Sequence, residues 1–242
     1  MKKFLILLVI IYGCNREKSG IIAYNVNVGK NKSVYIKDLN KNEIIKKYIS
    51  KHPEEYYSFY DTVDITGNGI AEIIIEHYSG GTHCCTDYII LDISNKKLKE
   101  IWNFYASNGS ILKIEDIEGD GIKEIITACD CLAYFADLPY YVSKFLPRIF
   151  KYNDGNFYEC TMEYPGIFDP YVEKFCKGIK EAENDVEEKS NYLALMAIHI
   201  LRGKTLQGHL KSEKCGSSVE TINWFYFHRD ELLKRLKEYY NF

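Results

Sequence analysis

Asp64-Ile-Thr-Gly-Asn-Gly-Ile-Ala-Glu72 and Asp116-Ile-Glu-Gly-Asp-Gly-Ile-Lys-Glu124 are two stretches with one grammar. Oxygen-bearing side chains stand at positions one, three, five and nine, and glycines at four and six. Each stretch runs directly into β-branched residues, Ile73-Ile74-Ile75 or Ile125-Ile126-Thr127, which favour strands. Their starts are spaced by about fifty residues, a period that belongs to propeller blades and similar repeats. The pattern therefore predicts antiparallel β repeats joined by glycine-bend loops.

A hard cation such as calcium takes six to eight oxygens, and a tight loop can aim alternate side chains at it while a glycine makes the sharp turn. The second loop offers Asp116, Glu118, Asp120, the carbonyl of Ile122 and Glu124, with four carboxylates. The first offers Asp64, Thr66, Asn68, the carbonyl of Ile70 and Glu72, with two. Calcium is thus the expected cofactor, held more weakly in the first loop because ligand charge sets affinity. The plainer alternative is that Gly, Asn and Asp simply form turns between strands. An EF-hand fits poorly, because its closing glutamate stands at position twelve between two helices.

The paired loops resemble FG-GAP and VCBS type repeats, whose signature is Asp-x-Asp-Gly-Asp-Gly-x-x-Asp or Glu before a strand. Glu118 departs from it at one position, and Thr66 and Asn68 at two. The segment from Tyr78 to Cys85 is similar to one found in bacterial proteins that carry such repeats. The resemblance spans roughly residues 55–160 and implies a partial β-propeller-like architecture, with roles in adhesion or recognition. It implies architecture more firmly than activity.

The N-terminus predicts export. Lys2 and Lys3 precede an apolar run from Phe4 to Ile11, too short to span a membrane, and Ile11-Tyr12-Gly13-Cys14 is similar to a lipobox. Residues 1–13 then form a lipoprotein signal peptide, with Cys14 lipidated and 14–20 a tether to the membrane. Asn15 after the cysteine favours the outer membrane or a periplasm-facing location. In an oxidising compartment disulfides persist, so Cys84, Cys85, Cys129, Cys131, Cys160 and Cys176, with Cys215, are candidates for pairing. Cys84 and Cys85 could join each other or reach Cys129 or Cys131, and Cys176 also reads as a buried thiol on a helix face.

The 242 residues, 46% of them apolar, can form one sizeable core or two small ones, and a net charge of −3 gives no reason to expect nucleic acid. Strands are expected at 21–28, 33–36, 56–65, 71–77, 87–93, 98–105, 110–117 and 123–129, with a hairpin at 148–161 turning on Asn153-Asp154-Gly155. A small helix is expected at 43–49. After Pro165 the period becomes helical, with Val172, Phe175, Cys176 and Ile179 on one face. A solvated charged stretch follows at 181–189, then helices at 190–203 and 229–240. The organisation is α+β, a β-repeat domain at 21–164 followed by a C-terminal helical segment at 165–242.

No catalytic motif stands out. His77, His83, Cys84 and Cys85 could bind zinc or serve thiol chemistry in an exported hydrolase or oxidoreductase, but adjacent cysteines ligate one zinc awkwardly. His199 reads as a core or surface histidine, and Trp224 to Phe227 as aromatics buried against the helices. The leading expectation is a membrane-anchored lipoprotein with a binding or structural role, whose partner is an envelope protein or glycan.

Overall fold

The computed structural model describes residues 20–28, 31–52, 54–81, 84–95 and 97–242, and all side chains of these except 27, 28, 31, 84, 207 and 209. The expected signal segment, Cys14, most of the expected tether, His83 and the Cys84 side chain lie outside the described residues. The fold is α+β, with three antiparallel sheets and C-terminal helices.

Two compact units share the chain. The strand unit comprises the described residues up to Ser110 with Ile114–Ile125 and Lys151–Tyr158. The helical unit comprises Ile111–Lys113, Ile126–Phe150 and Glu159–Phe242.

In the strand unit, β1 (Ile21–Val28), β2 (Asn31–Asp38) and β3 (Glu43–Ile49) form a three-stranded meander. A four-stranded meander follows: β4 (Tyr56–Val63), β5 (Glu72–Gly81), β6 (Cys84–Asp92) and β7 (Lys99–Ser107). Period-two alternation puts Ile73 and Ile75 of β5 and Ile89 and Leu91 of β6 on one face, where they pack with Ala23, Val34 and Ile36. Each fully buried isoleucine contributes about 2 kcal/mol by leaving water.

Residues 43–49 are strand β3, not the helix that their spacing suggests. The half-buried Ile45 and Tyr48, three apart, mimic helical periodicity. A register shift opposite Ile36 and Lys37 leaves Ile45 as an extra residue, and this brings both side chains to the same core face. The bulge, together with pairing to β2, outweighs local propensity.

A second four-stranded sheet has the order β11-β10-β9-β8, built from β8 (Ile111–Glu115), β9 (Glu124–Cys129), β10 (Leu146–Asn153) and β11 (Asn156–Glu159). Asp154 and Gly155 turn its hairpin with φ of 47° and 92°. One glycine-bend loop joins β4 to β5 and the other joins β8 to β9, so each connects the first two strands of a four-stranded meander.

The helical unit surrounds one core helix. Its helices are α1 (Asp169–Lys180), α2 (Asp185–Leu201), α3 (Thr205–Lys214) and α4 (Val219–Tyr239). Every residue of α2 from Lys189 to Leu201 is buried, as befits a helix wrapped on all sides. The charges at 181–189 are therefore not simply a solvated linker. Asn184 caps α2 by accepting the Glu187 N–H at 3.0 Å, Asp185, Glu187 and Glu188 favour the positive end of the helix, and Lys189 pairs with Asp185 at 2.9 Å.

Helix α4 also starts earlier than expected, because the Ser218 hydroxyl accepts from Thr221 N–H at 3.1 Å. Of its aromatic run only Phe225 is fully buried, while Phe227 is 85% exposed. His199 lies in the core, and Gly208 lets α3 approach it, since a Cβ there would sit 2.7 Å from the His199 Cβ. Cys176 of α1 forms a disulfide with Cys215, just past α3, so it is not an inert thiol. Among the described residues no helix is long and apolar enough to cross a membrane.

Candidate functional site

The two glycine-bend loops share a backbone. Gly67 and Gly69 have φ of 72° and 80°, and Gly119 and Gly121 have 75° and 89°, all in the left-handed region that glycine enters without strain. The loops also meet each other. Lys123 N–H donates to the Ile65 carbonyl at 2.9 Å, and a Cβ on Gly67 would lie 2.8 Å from the Gly121 carbonyl oxygen.

The acid at position nine closes each loop against its own backbone. Glu72 accepts the Ile65 N–H at 2.7 Å, and Glu124 accepts the Ile117 N–H at 2.8 Å. Both glutamates are fully buried. Glu72 further accepts the Thr66 hydroxyl at 2.9 Å. Burial nevertheless raises its pKa, and the nearby Asp64 carboxylate adds to the rise.

Position one acts as an anion within a ring of amides. Asp116 accepts from the N–H groups of Gly119, Asp120 and Gly121 at 2.6, 3.1 and 2.9 Å. In the first loop Asp64 Oδ2 accepts only from Gly69, at 2.8 Å. Its Oδ1 is buried and has no hydrogen-bond partner among the described residues. Position five is an Asx turn in both loops, with Asn68 accepting from Ile70 and Asp120 from Ile122.

Lys151 of β10 supplies what the sequence reading missed. Its ammonium bonds Glu118, reaches Asp120 at 2.9 Å and lies 3.2 Å from Glu124, and its side chain is only 10% exposed. Burial by itself would lower the lysine pKa. The bonds to Asp120, Glu118 and Glu124 outweigh it and hold the ammonium above its ordinary range. Asp120 is correspondingly held below the usual carboxylate range, by Lys151 first and the Ile122 N–H second. The fixed cation sits in the loop with four carboxylates, and the loop with two uncharged substitutions, Thr66 and Asn68, contains no lysine.

The side-chain oxygens expected to form a calcium shell at Asp116, Glu118, Asp120 and Glu124, with the Ile122 carbonyl, are here engaged within the chain. Three of the four carboxylates already share an ammonium, and the fourth is committed to three amides. In the set of Asp64, Thr66, Asn68, Ile70 and Glu72, the side-chain oxygens likewise bond within the loop, except Asp64 Oδ1. Among the described residues no cluster of three His, Cys, Asp or Glu side chains is placed to hold a metal.

The second candidate, around His77, is also closed. Its Nε2 is 2.9 Å from Glu55, its Nδ1 is 3.1 Å from Asp87, and Tyr57 stacks on the ring at 4.3 Å. Register explains the cluster, since Tyr57, His77 and Asp87 are successive cross-strand partners. Both ring nitrogens are engaged, so His77 is not poised as a zinc ligand. Burial alone would raise the Glu55 pKa. Donation from Lys51 N–H, His77 and His52 N–H overcomes this, leaving it below 4.5.

A carboxylate pKa lowered on folding adds stability above the unfolded value, and that stability is lost as pH falls through the folded value. His77→Ala is expected to cost about 1 kcal/mol at pH 7 by stripping a partner from the half-buried Glu55, whose charge water partly screens. The cost should shrink as pH falls below 4.5, where Glu55 takes up a proton. Urea titrations at both pH values check this, and an equal cost at each would assign the loss to packing against Tyr57.

Cys85 is disulfide-bonded, and its partner is outside the described side chains. Cys129, Cys131 and Cys160 are buried and outside any disulfide, so the expected bridges from Cys84 or Cys85 to Cys129 or Cys131 are not formed. Desolvation, together with the neighbouring Cys129 sulfur, pushes the Cys131 thiol well above its ordinary pKa. It is therefore a poor nucleophile. Compared with known proteins, the chain matches no family model and no curated sequence.

Proposed function

We propose that this chain is an exported lipoprotein, anchored through Cys14, whose β repeats form a binding or structural scaffold in the cell envelope. The observation that carries the scaffold reading is that the polar groups of both glycine-bend loops, Asp64 Oδ1 apart, are engaged within the loops or with Lys151. Each joins the first two strands of a four-stranded meander, each is closed by a buried glutamate at position nine, and each has the same glycine conformations. In this reading the two meanders are copies of one propeller-blade-like repeat, and Lys151 takes the place that the resemblance gives to calcium in the second loop. An envelope protein or glycan is the proposed partner.

The Cys176–Cys215 disulfide supports an oxidising compartment. The disulfide at Cys85 weighs against the thiol enzyme, because a sulfur held in a disulfide offers no thiolate.

Anchoring is tested by fractionating bacteria that express the full chain. The wild type is expected with the membranes and released only by detergent, while Cys14→Ser moves to the soluble exported fraction. A wild type that is soluble without detergent would overturn the anchored reading.

A further inference from the structure

The helical unit contains a cavity that the scaffold role does not use. It measures about 420 Å³ and is lined by α1, the start of α2 and the chain around Val142 and Lys144. That volume is in the range of small-molecule sites.

Its floor is fixed by polar contacts. The Ser190 hydroxyl donates to the Val142 carbonyl, holding that segment on α2. Asn191 is buried and donates its side-chain amide to the Glu187 carbonyl at 2.9 Å. It also fills the space left by Gly178, where a Cβ would lie 2.4 Å from its Oδ1. A side chain at 178 would displace the Asn191 amide and so reshape the cavity.

The walls are cationic. Lys144 and Lys174 both line the cavity, and among the described residues neither has an ion pair or a hydrogen bond to its ammonium. Burial, and then repulsion from Lys174, holds the Lys144 ammonium below its ordinary pKa, and Glu187 only partly offsets this. The Glu187 carboxylate also accepts from the Glu183 N–H at 3.2 Å. Lys177 is engaged with Glu181 at 3.8 Å. Lys144 is half-buried and Lys174 exposed, so the two ammonium groups flank a partly open cavity and together attract a counter-charge to it.

We propose that this cavity binds a small dianion, carrying carboxylate or phosphate groups, between the Lys144 and Lys174 ammonium groups. The bound anion satisfies both cations, and Asn191 and Val142 set the depth to which it enters. A singly charged ligand meets only one lysine and binds more weakly.

The test is calorimetric titration of the full chain with inorganic phosphate and, separately, with succinate at low ionic strength, using sodium chloride as the charge control. Lys144→Met and Lys174→Met keep the aliphatic stem and remove the charge, and Lys237→Met, on the exposed face of α4, controls for net charge. One saturable site per chain is expected for phosphate, for succinate or for both, and the pattern identifies the anionic group. Either cavity variant should weaken it about tenfold while Lys237→Met leaves it unchanged. Circular dichroism of each variant verifies folding, and protection of Lys144 from reductive methylation by the bound anion gives a reading on the wild type alone. Saturable binding of neither anion at about 10 mM, or equal weakening in all three variants, would overturn the proposal.

Discussion

Lys151→Met should destabilise the strand unit by about 3 kcal/mol, the range seen when one member of a buried ion pair is removed. The substitution keeps the stem but leaves Glu118, Asp120 and the fully buried Glu124 without their shared cation. Glu118 and Asp120 are 47% and 40% exposed, so water takes up part of their charge. Glu124 has no such relief and carries most of the cost. The pH dependence follows from the sign of the shift. A lysine whose pKa rises on folding contributes fully below its unfolded value of 10.5 and loses that contribution as pH climbs through the folded value. The Asp120 side of the same pair is lost as pH falls from 3.8. Between these limits the wild type should lose the brace only to mutation.

The variant also separates fixed charge from bound metal. Without Lys151, four carboxylates at Asp116, Glu118, Asp120 and Glu124 surround a bend that a divalent ion can neutralise. Millimolar calcium should recover part of the lost stability in Lys151→Met and leave the wild type unchanged in urea titrations with and without chelator. A wild type that loses several degrees of melting temperature to chelator would show that Lys151 is not the brace.

The same pair of loops shows how far a sequence can be read. Position-specific chemistry was legible: glycines at four and six occupy the left-handed region, and the strands follow where the β-branched runs begin. The partner of the carboxylates was not, because Lys151 comes from β10 and only tertiary pairing brings it to the loop. The one hint was Glu118, a longer acid than the resemblance calls for, which reaches that lysine. At position nine a glutamate that closes its own loop and one that binds metal leave the same letter, so the bonds from Ile65 and Ile117 N–H to Glu72 and Glu124 had no sign of their own in the sequence. In the helical unit the amphipathic face of α1 was plain, but α2 has no polar face and so has weak periodicity. Its start, and that of α4, lay in the caps Asn184 and Ser218. Residues 43–49 failed for the opposite reason, as a bulge created a three-residue spacing inside a strand.

Loss of the Cys176–Cys215 disulfide should have an effect of similar size in the other unit. The bridge closes a loop of 39 residues, and the chain-entropy relation gives about 4 kcal/mol for that length. The loop encloses α2 and α3, so the bond ties α1 to the end of α3 across the stretch that contains the buried helix. Both sulfurs are buried, and a pair of alanines leaves a small void in addition to a looser unfolded chain. The double variant Cys176→Ala with Cys215→Ala should therefore unfold at markedly lower urea, with its loss confined to the helical unit. Hydrogen exchange resolves the two units, because amides of α2 should lose protection while those of Ile73, Ile74 and Ile75 keep theirs. Equal loss in both would mean that the chain unfolds as one cooperative body, and no loss in α2 would mean that packing around Tyr192, Phe225 and Leu236 holds the unit without the bridge.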